Sequence, residues 1–587
     1  MPTYMDDAPT VARTAFDSVT SPDGMSSTDI HVNAYFEYFH PALPLVHRST
    51  FLTSSPPKLL VDIIVAIGLL YSAETPGLGH AKAACVKKSQ SLWRQGVDEL
   101  NRRASYDWRE LRKTWMMQSW LLHIVYGAFM DNASHAERVR KMLRSLVDAV
   151  RDLGLLKQVV ATSANSPVWP QMEAESSEAA QAVEAYEQWQ IYISEESLKL
   201  SIYTLLLLDH HVFSCANIRP LISTVECLWE LPLAESLWEA ETAEAWYERR
   251  CQHDYNMISG SPRATTSSFK GFLSTATQSL LSETQDASLL AMLARSSFAM
   301  MCVLSNLDAL VKDFTRCYYQ LPPSPADPSA FHILTQSQTR QICSALSVLS
   351  AVVKEKVGSA TLEADQSVWH ACQILTWSLK LSLCRPDDLL VGGIVENRVF
   401  ASLVTATHLT VDSYVTFKRT THAAKQRNDE GDGMIAVIDD LTEALSAIAA
   451  LDARLALRES PWITAASYRL LLTVWRTLHV ATADIYEKLN KCNGTLTSRS
   501  FGSSILILNS ILETVTESSK QRSLHHSPGS ASRRLWSFDA DMLNLTLAQG
   551  ETDLVNLIVQ ICKSRSVWVI GPSLVNAVQD AMANAAR

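Results

Sequence analysis

The chain has 587 residues, 47% of them hydrophobic, with only 19 Gly and 21 Pro. That is enough apolar material for a large core, and long stretches without breakers favour helices. A net charge of −10 and a pI near 5.9 exclude the chain as a whole from the polyanion binders, which need clustered Lys and Arg.

In chain order, residues 1–26 are polar and mixed and read as a disordered tail. A first helix is expected from Ser27 or Thr28, with Ile30, Ala34 and Tyr38 on one face, ending at Pro41. Leu59–Tyr71 is apolar nearly all round and should be a central helix. Three more helices follow at Ala81–Arg103, Trp108–Met130 and Ser134–Leu153. The last carries Val139, Leu143, Leu146 and Val150 on one stripe, with Gly154 as its C-cap. Residues 157–183 read as a long loop, and Tyr186 to about His211 as the next helix. A turn surrounds Pro220, and a shorter helix covers Ala240–Ser259.

Phe298–Phe314 is the next strong helix, and a Pro-rich linker is expected at 319–334. Helices at Gln336–Glu355, Ser367–Leu383 and Asn397–Lys418 precede a second linker at Gln426–Gly433. Ala466–Leu489 places Leu471, Trp475, Leu478 and Ile485 on one face, and Ser503–Val515 and Asp553–Cys562 complete the set. No alternating strand pattern or fixed-period repeat stands out. The expected class is all-α: an irregular multi-helix bundle with two long loops, divided into a regulatory domain at 27–318 and a C-terminal helical region at 335–587.

The 11 cysteines contain no C-x2-C or C-x4-C pair, so no zinc knuckle is expected; scattered thiols fit a reduced, intracellular protein. The N-terminus lacks the basic and apolar regions of a signal peptide. The most apolar runs, Leu59–Tyr71 and Ile202–Leu208, are too short to span a bilayer, so no membrane partner is expected. Lys520–Arg534 is the most basic stretch and reads as a solvated loop rather than a nucleic-acid contact.

Enzyme signatures are weak. "GLGHAK", Gly77–Lys82, does not follow a strand, as a phosphate-binding turn would. "DDLTE", Asp439–Glu443, has the D-D-x-x-[DE] form that holds Mg²⁺ and a diphosphate in terpene synthases, but no second Mg²⁺ motif lies downstream. Acids in the first turn of a helix account for Asp439, Asp440 and Glu443 without a metal. His210 and His211 read as C-terminal histidines near free helix carbonyls. His40 and His47 have no further metal ligand near them in sequence. His40 is expected to cap the end of its helix, while Phe36, Phe39, Leu43, Leu45 and Phe51 pin an extended corner onto helix 59–71. No catalytic residue, metal ligand or cofactor is assigned.

"YFEYFHPALPLVHRSTF", Tyr35–Phe51, resembles the opening signature of the fungal-specific transcription factor domain, the middle homology region of fungal zinc-cluster regulators. Phe36, Phe39, His40, Pro41, Pro44, His47, Thr50 and Phe51 fit it in order. "LLVDIIVAIGLLYS", Leu59–Ser72, is similar to the family's next helix, and "AVRDLGLL", Ala149–Leu156, to its Leu-Gly-Leu turn. "WQIYISEESLKLSIYTLLLLD" resembles the helix bearing Trp189, Glu196 and Asp209; Tyr192 replaces a second Trp, and Lys199-Leu200 an Arg pair. Glu230–Glu248, with Trp238 and Trp246, resembles a tract of members that read DNA with paired C2H2 fingers.

The resemblance implies a nuclear transcription regulator of a metabolic or biosynthetic gene set. It implies contacts with other regulators or with itself, and room for a small effector between helices. Family members usually carry a zinc finger upstream, whereas residues 1–26 hold no Cys or His. DNA is therefore expected to be reached indirectly or through a finger outside this sequence. The alternatives are a Mg²⁺-dependent, terpene-synthase-like enzyme and a non-catalytic scaffold.

Overall fold

Short side chains start many of the helices. Asn132 Oδ1 accepts from the N–H groups of Ser134 and His135, Asp286 from Ser288, and Asp452 from Leu455. Each supplies an acceptor to a first turn whose N–H groups lack helical partners. A computed structural model of the chain describes residues 27–74, 82–130, 132–157, 178–214, 218–233, 235–259, 271–282, 286–320, 328–384, 398–411, 438–491, 503–522 and 540–585.

The N-terminal helices are α1 (Ser27–Ala34), α2 (Arg48–Thr53), α3 (Lys58–Ser72), α4 (Lys82–Tyr106), α5 (Thr114–Ala128), α6 (Ala133–Asp152) and α7 (Glu178–Ser214). Then come α8 (Glu235–Trp238), α9 (Ala243–Ser259), α10 (Leu273–Leu281), α11 (Ala287–Leu293) and α12 (Ser297–Gln320). The C-terminal part holds α13 (Pro328–Ser359), α14 (Glu363–Cys384), α15 (Val399–Val411), α16 (Ile438–Ala450), α17 (Ala453–Arg458) and α18 (Pro461–Lys491). It ends with α19 (Ser503–Arg522), α20 (Ala540–Lys563) and α21 (Ile570–Ala585). The protein is all-α. Among the described residues the β pairing is one isolated bridge between Glu230 and Phe272.

Helix α3 is buried along nearly its whole length and packs against α1, α4 and α5. The expected stripes on α6 and α18 are all buried. Gly154 has φ +69°, and Leu155 N–H bonds the Val150 carbonyl, closing α6 with a left-handed glycine as its position predicts. Gly68 lets α1 lie directly on α3: a Cβ there would collide with the His31 carbonyl oxygen. Gly68→Ala must push two backbones apart, and is expected to cost at least the upper end of the usual ~1–3 kcal/mol for overpacking, measured by chemical denaturation.

Several expectations shift. The first helix does not run regularly to Pro41. A π turn at Tyr35–Phe39 and a 3-10 turn at His40–Ala42 intervene. The extra residue in the π turn rotates the chain, so Tyr35, Phe36 and Phe39 point inward while Tyr38 is half-buried, stacked on Tyr71. The expected helix at 108–130 divides into a 3-10 turn at Trp108–Arg112 and α5. Residues 178–183 of the expected loop belong to α7, and of the linker expected at 319–334, residues 319–320 and 328–334 are helical. The tail 1–26, Gly77–Ala81 of the glycine-rich stretch, Gln426–Gly433 and 523–534 of the basic stretch lie outside the described residues.

Most of the buried apolar side chains among the described residues form one hydrophobic cluster running from Val32 to Val578. Helix α12 packs on α14, and α14 packs in turn on α18. Residues on either side of the expected linker thus share a core. A buried Arg565–Glu459 pair, 3% and 4% exposed, ties α21's approach to the start of α18, and Thr464 Oγ1 also donates to Glu459. No single helix among the described residues is long and apolar enough to cross a membrane.

Candidate functional site

The signature residues converge on a hub where the N-terminal corner meets α7, α8 and α9. His47 occupies its centre. As the N-cap of α2, its Nδ1 accepts from Thr50 N–H at 3.3 Å. With Nδ1 accepting, Nε2 carries the proton and donates to the Ala240 carbonyl at 3.1 Å. The ring packs edge-on against Trp238 at 5.0 Å and Trp189 at 5.7 Å. Ser49 adds a second tie, donating to the Glu241 carbonyl at 2.6 Å. One imidazole thus joins three segments separated by nearly 200 residues.

His40 does not cap its own helix. Its Nε2 donates to the Val46 carbonyl at 2.8 Å and closes the Pro41–Pro44 loop, because the π turn carries the ring past the helix end. Pro41 enters the 3-10 turn and Pro44 keeps the connection to α2 out of a helix. Phe36 meets Phe51 at 5.5 Å, while Phe39 touches Tyr71, Trp462 and Trp568 at 5.9–6.5 Å. The corner therefore packs on α3, as expected, and also on the C-terminal helices, which the sequence does not indicate.

Along α7, Trp189 contacts His47, and Tyr192, in the place of the second Trp, packs against Trp246 at 5.5 Å. Glu196 pairs with Lys199 at 2.6 Å, so one position of the replaced Arg pair keeps an ion pair. Arg250 lies over the Trp246 ring. Asp209 sits farther along α7 and holds the segment after it, accepting from Ile222 N–H at 2.8 Å; burial pushes its carboxyl up to about 6. The structure brings together His47, Thr50, Trp189, Trp238 and Trp246, and places Asp209 outside the hub.

His210 and His211 lie near the C-terminal end of α7, as expected, with His211 in its last turn, but their Nε2 atoms bond side chains of α12 rather than helix carbonyls. They point into the core: His210 Nε2 bonds Asp308 at 2.7 Å and His211 Nε2 bonds Ser305 at 3.0 Å. Asp308 also holds Lys312 at 2.5 Å. The apolar run before His210 gives no signal of this polar seam, because its partners lie 94 and 98 residues away. In "DDLTE", Asp440 binds Lys380 and Glu443 binds Lys354, each at 2.8 Å, so these two acids are occupied by lysines. Among the described residues no group of three His, Cys, Asp or Glu is placed to hold a metal. A cavity by His370, Met301, Arg458 and Glu459 has about 10 Å³ of free space, room for about one water.

Residues 32–313 match the profile of the fungal specific transcription factor domain. They form a fungal specific transcription factor domain. A protein of Schizosaccharomyces pombe described as a zinc finger protein is 22% identical over 206 residues, a match covering 35% of this chain and 30% of that relative. No solved structure matches the chain. The hub lies wholly inside the domain, whereas Trp462 and Trp568, which close on Phe39, lie beyond its matched boundary.

His47 gives the domain a pH-sensitive joint. Burial holds its imidazole below the ordinary range, so folding favours the neutral ring. The unfolded chain then takes up the proton more readily, and the stability His47 supplies is present above about pH 6.5 and lost as pH falls. His47→Ala is expected to cost about 2 kcal/mol near pH 8, from a lost cap and an unpaired carbonyl, with the gap to wild type narrowing on acidification. Urea titrations at a series of pH values check this.

Proposed function

We propose that this protein is a nuclear transcription regulator of a metabolic or biosynthetic gene set, working through partner proteins that contact DNA. The match of residues 32–313 to the fungal specific transcription factor domain carries this reading. It is supported by the absence of any C-x2-C pair from the 587 residues, so the DNA contact is assigned to a partner or to a segment outside this sequence. The signature hub is buried, and its His47 ring joins distant segments through its two nitrogens. Its part in this reading is to hold the regulatory domain in shape, and partners meet the outer surface.

Transcript profiling after deletion of the gene tests the proposal. A coherent set of enzyme-coding transcripts should change, and return when the intact chain is restored. Unchanged transcripts under every growth condition that expresses the protein would defeat it.

A further inference from the structure

The turn between α4 and the following 3-10 segment is a projecting aromatic tip. Tyr106 is 92% exposed and Trp108 is 38% exposed, in a protein that buries most of its large rings. Around them lie Arg102, Arg103, Arg109, Arg112 and Lys113. They belong to a basic region: residues 82–157 carry 15 Lys and Arg against 8 Asp and Glu, in a chain of net charge −10.

The acids of the tip are already engaged. Glu99 is gripped by Arg102 and Arg103 at 2.7–2.8 Å, which holds its carboxyl down to about 2. Glu110 pairs with Lys113 at 3.1 Å, and Asp107 caps the 3-10 segment by accepting from Arg109 N–H. Arg109 and Arg112 have no ion-pair partner among the described residues and are exposed. The charge left to meet a partner is therefore positive and sits beside two open rings.

We propose that this tip docks an acidic protein segment that offers carboxylates to Arg109 and Arg112 and apolar side chains to Tyr106 and Trp108. Tyr, Trp and Arg are the residues that dominate protein–protein hot spots, where rings bury area at low entropic cost and guanidinium forks bind carboxylates in pairs. DNA fits less well. Two exposed cations without an ion-pair partner among the described residues are few against the several phosphate contacts that duplex affinity needs, and Glu99, Asp107 and Glu110 lie close to them in the chain. The inference gives the regulator proposed above one partner surface and takes only its biological setting from that reading, because binding and transcript change are measured separately.

Fluorescence anisotropy with the full chain tests it. The probes are a labelled peptide of Glu, Asp, Leu and Phe, the same peptide with Lys at each acid, and a short DNA duplex. The acidic peptide should bind, more weakly as salt rises, and the lysine peptide should not. Tyr106→Ala, and separately Arg109→Glu with Arg112→Glu, should each weaken binding about 10-fold or more. Leu506→Ala, an exposed apolar residue on α19, should leave it unchanged. Because Tyr106 makes so little contact with the fold, its loss should not unfold the chain, and an unaltered denaturation midpoint verifies that. No binding of the acidic peptide, equal binding of both peptides, or no effect of the tip variants would overturn the proposal. Duplex binding that depends on Arg109 and Arg112 would replace it with a nucleic-acid contact.

Discussion

Arg565→Met is expected to lower stability by about 3–5 kcal/mol, seen as a large fall in the urea midpoint. The guanidinium donates to both oxygens of Glu459 at 2.7 and 2.9 Å and to the Ile561 carbonyl, with both partners of the pair almost fully covered. Removing the cation leaves a carboxylate in a low-dielectric interior, with the Thr464 hydroxyl as its remaining hydrogen-bond donor among the described residues. The pair itself contributes far less than its loss costs, because taking two ions out of water offsets most of their attraction. Combining Arg565→Met with Glu459→Leu should therefore recover much of the loss. A double variant as unstable as Arg565→Met alone would show that guanidinium packing, rather than the stranded charge, is what matters.

Phe39→Ala should cost about 3–5 kcal/mol, the usual range for deleting a buried aromatic ring. Phe39 is 1% exposed and touches Tyr71, Trp462 and Trp568, so the cavity would open where three distant segments meet. Trp568 also donates to Tyr71 Oη at 3.1 Å, which limits how far the site can collapse. Phe39→Leu keeps more of the volume and should lose markedly less. Near-UV circular dichroism adds a specific readout, since the tryptophans would lose their fixed surroundings. A Phe39→Ala chain with wild-type midpoint and spectrum would remove the corner from the core.

What the sequence revealed follows from the range over which each signal acts. Helices α6 and α18 were legible because Val139, Leu143, Leu146 and Val150, and Leu471, Trp475, Leu478 and Ile485, repeat at the helical period. The π turn was hidden: one extra residue moves Tyr35, Phe36 and Phe39 inward without altering composition. Helix α2 is six residues long, too short for a period to show, and its cap is an imidazole rather than the usual small polar side chain. In the hub, the ordered run from Phe36 to Phe51 pointed to the family, but nothing in it specified that His47 would reach the Ala240 carbonyl 193 residues away. The Glu459–Arg565 pair and the His210–Asp308 seam were invisible for the same reason: each half is an ordinary polar residue until the tertiary fold supplies the other. In "DDLTE" the helix was right to expect, while Lys354 and Lys380 answer the acids from neighbouring helices.

The shared core sets how this protein can be handled. A fragment cut at residue 313 would take the signature corner but leave behind the two tryptophans that roof Phe39 and the residues that fasten Tyr71 and Glu74 from near residue 566. Its newly bared rings would favour aggregation over an autonomous module. A fusion that borrows only the family segment, as in a reporter assay, would then measure the behaviour of an opened core, and silence from it would say little about the intact protein.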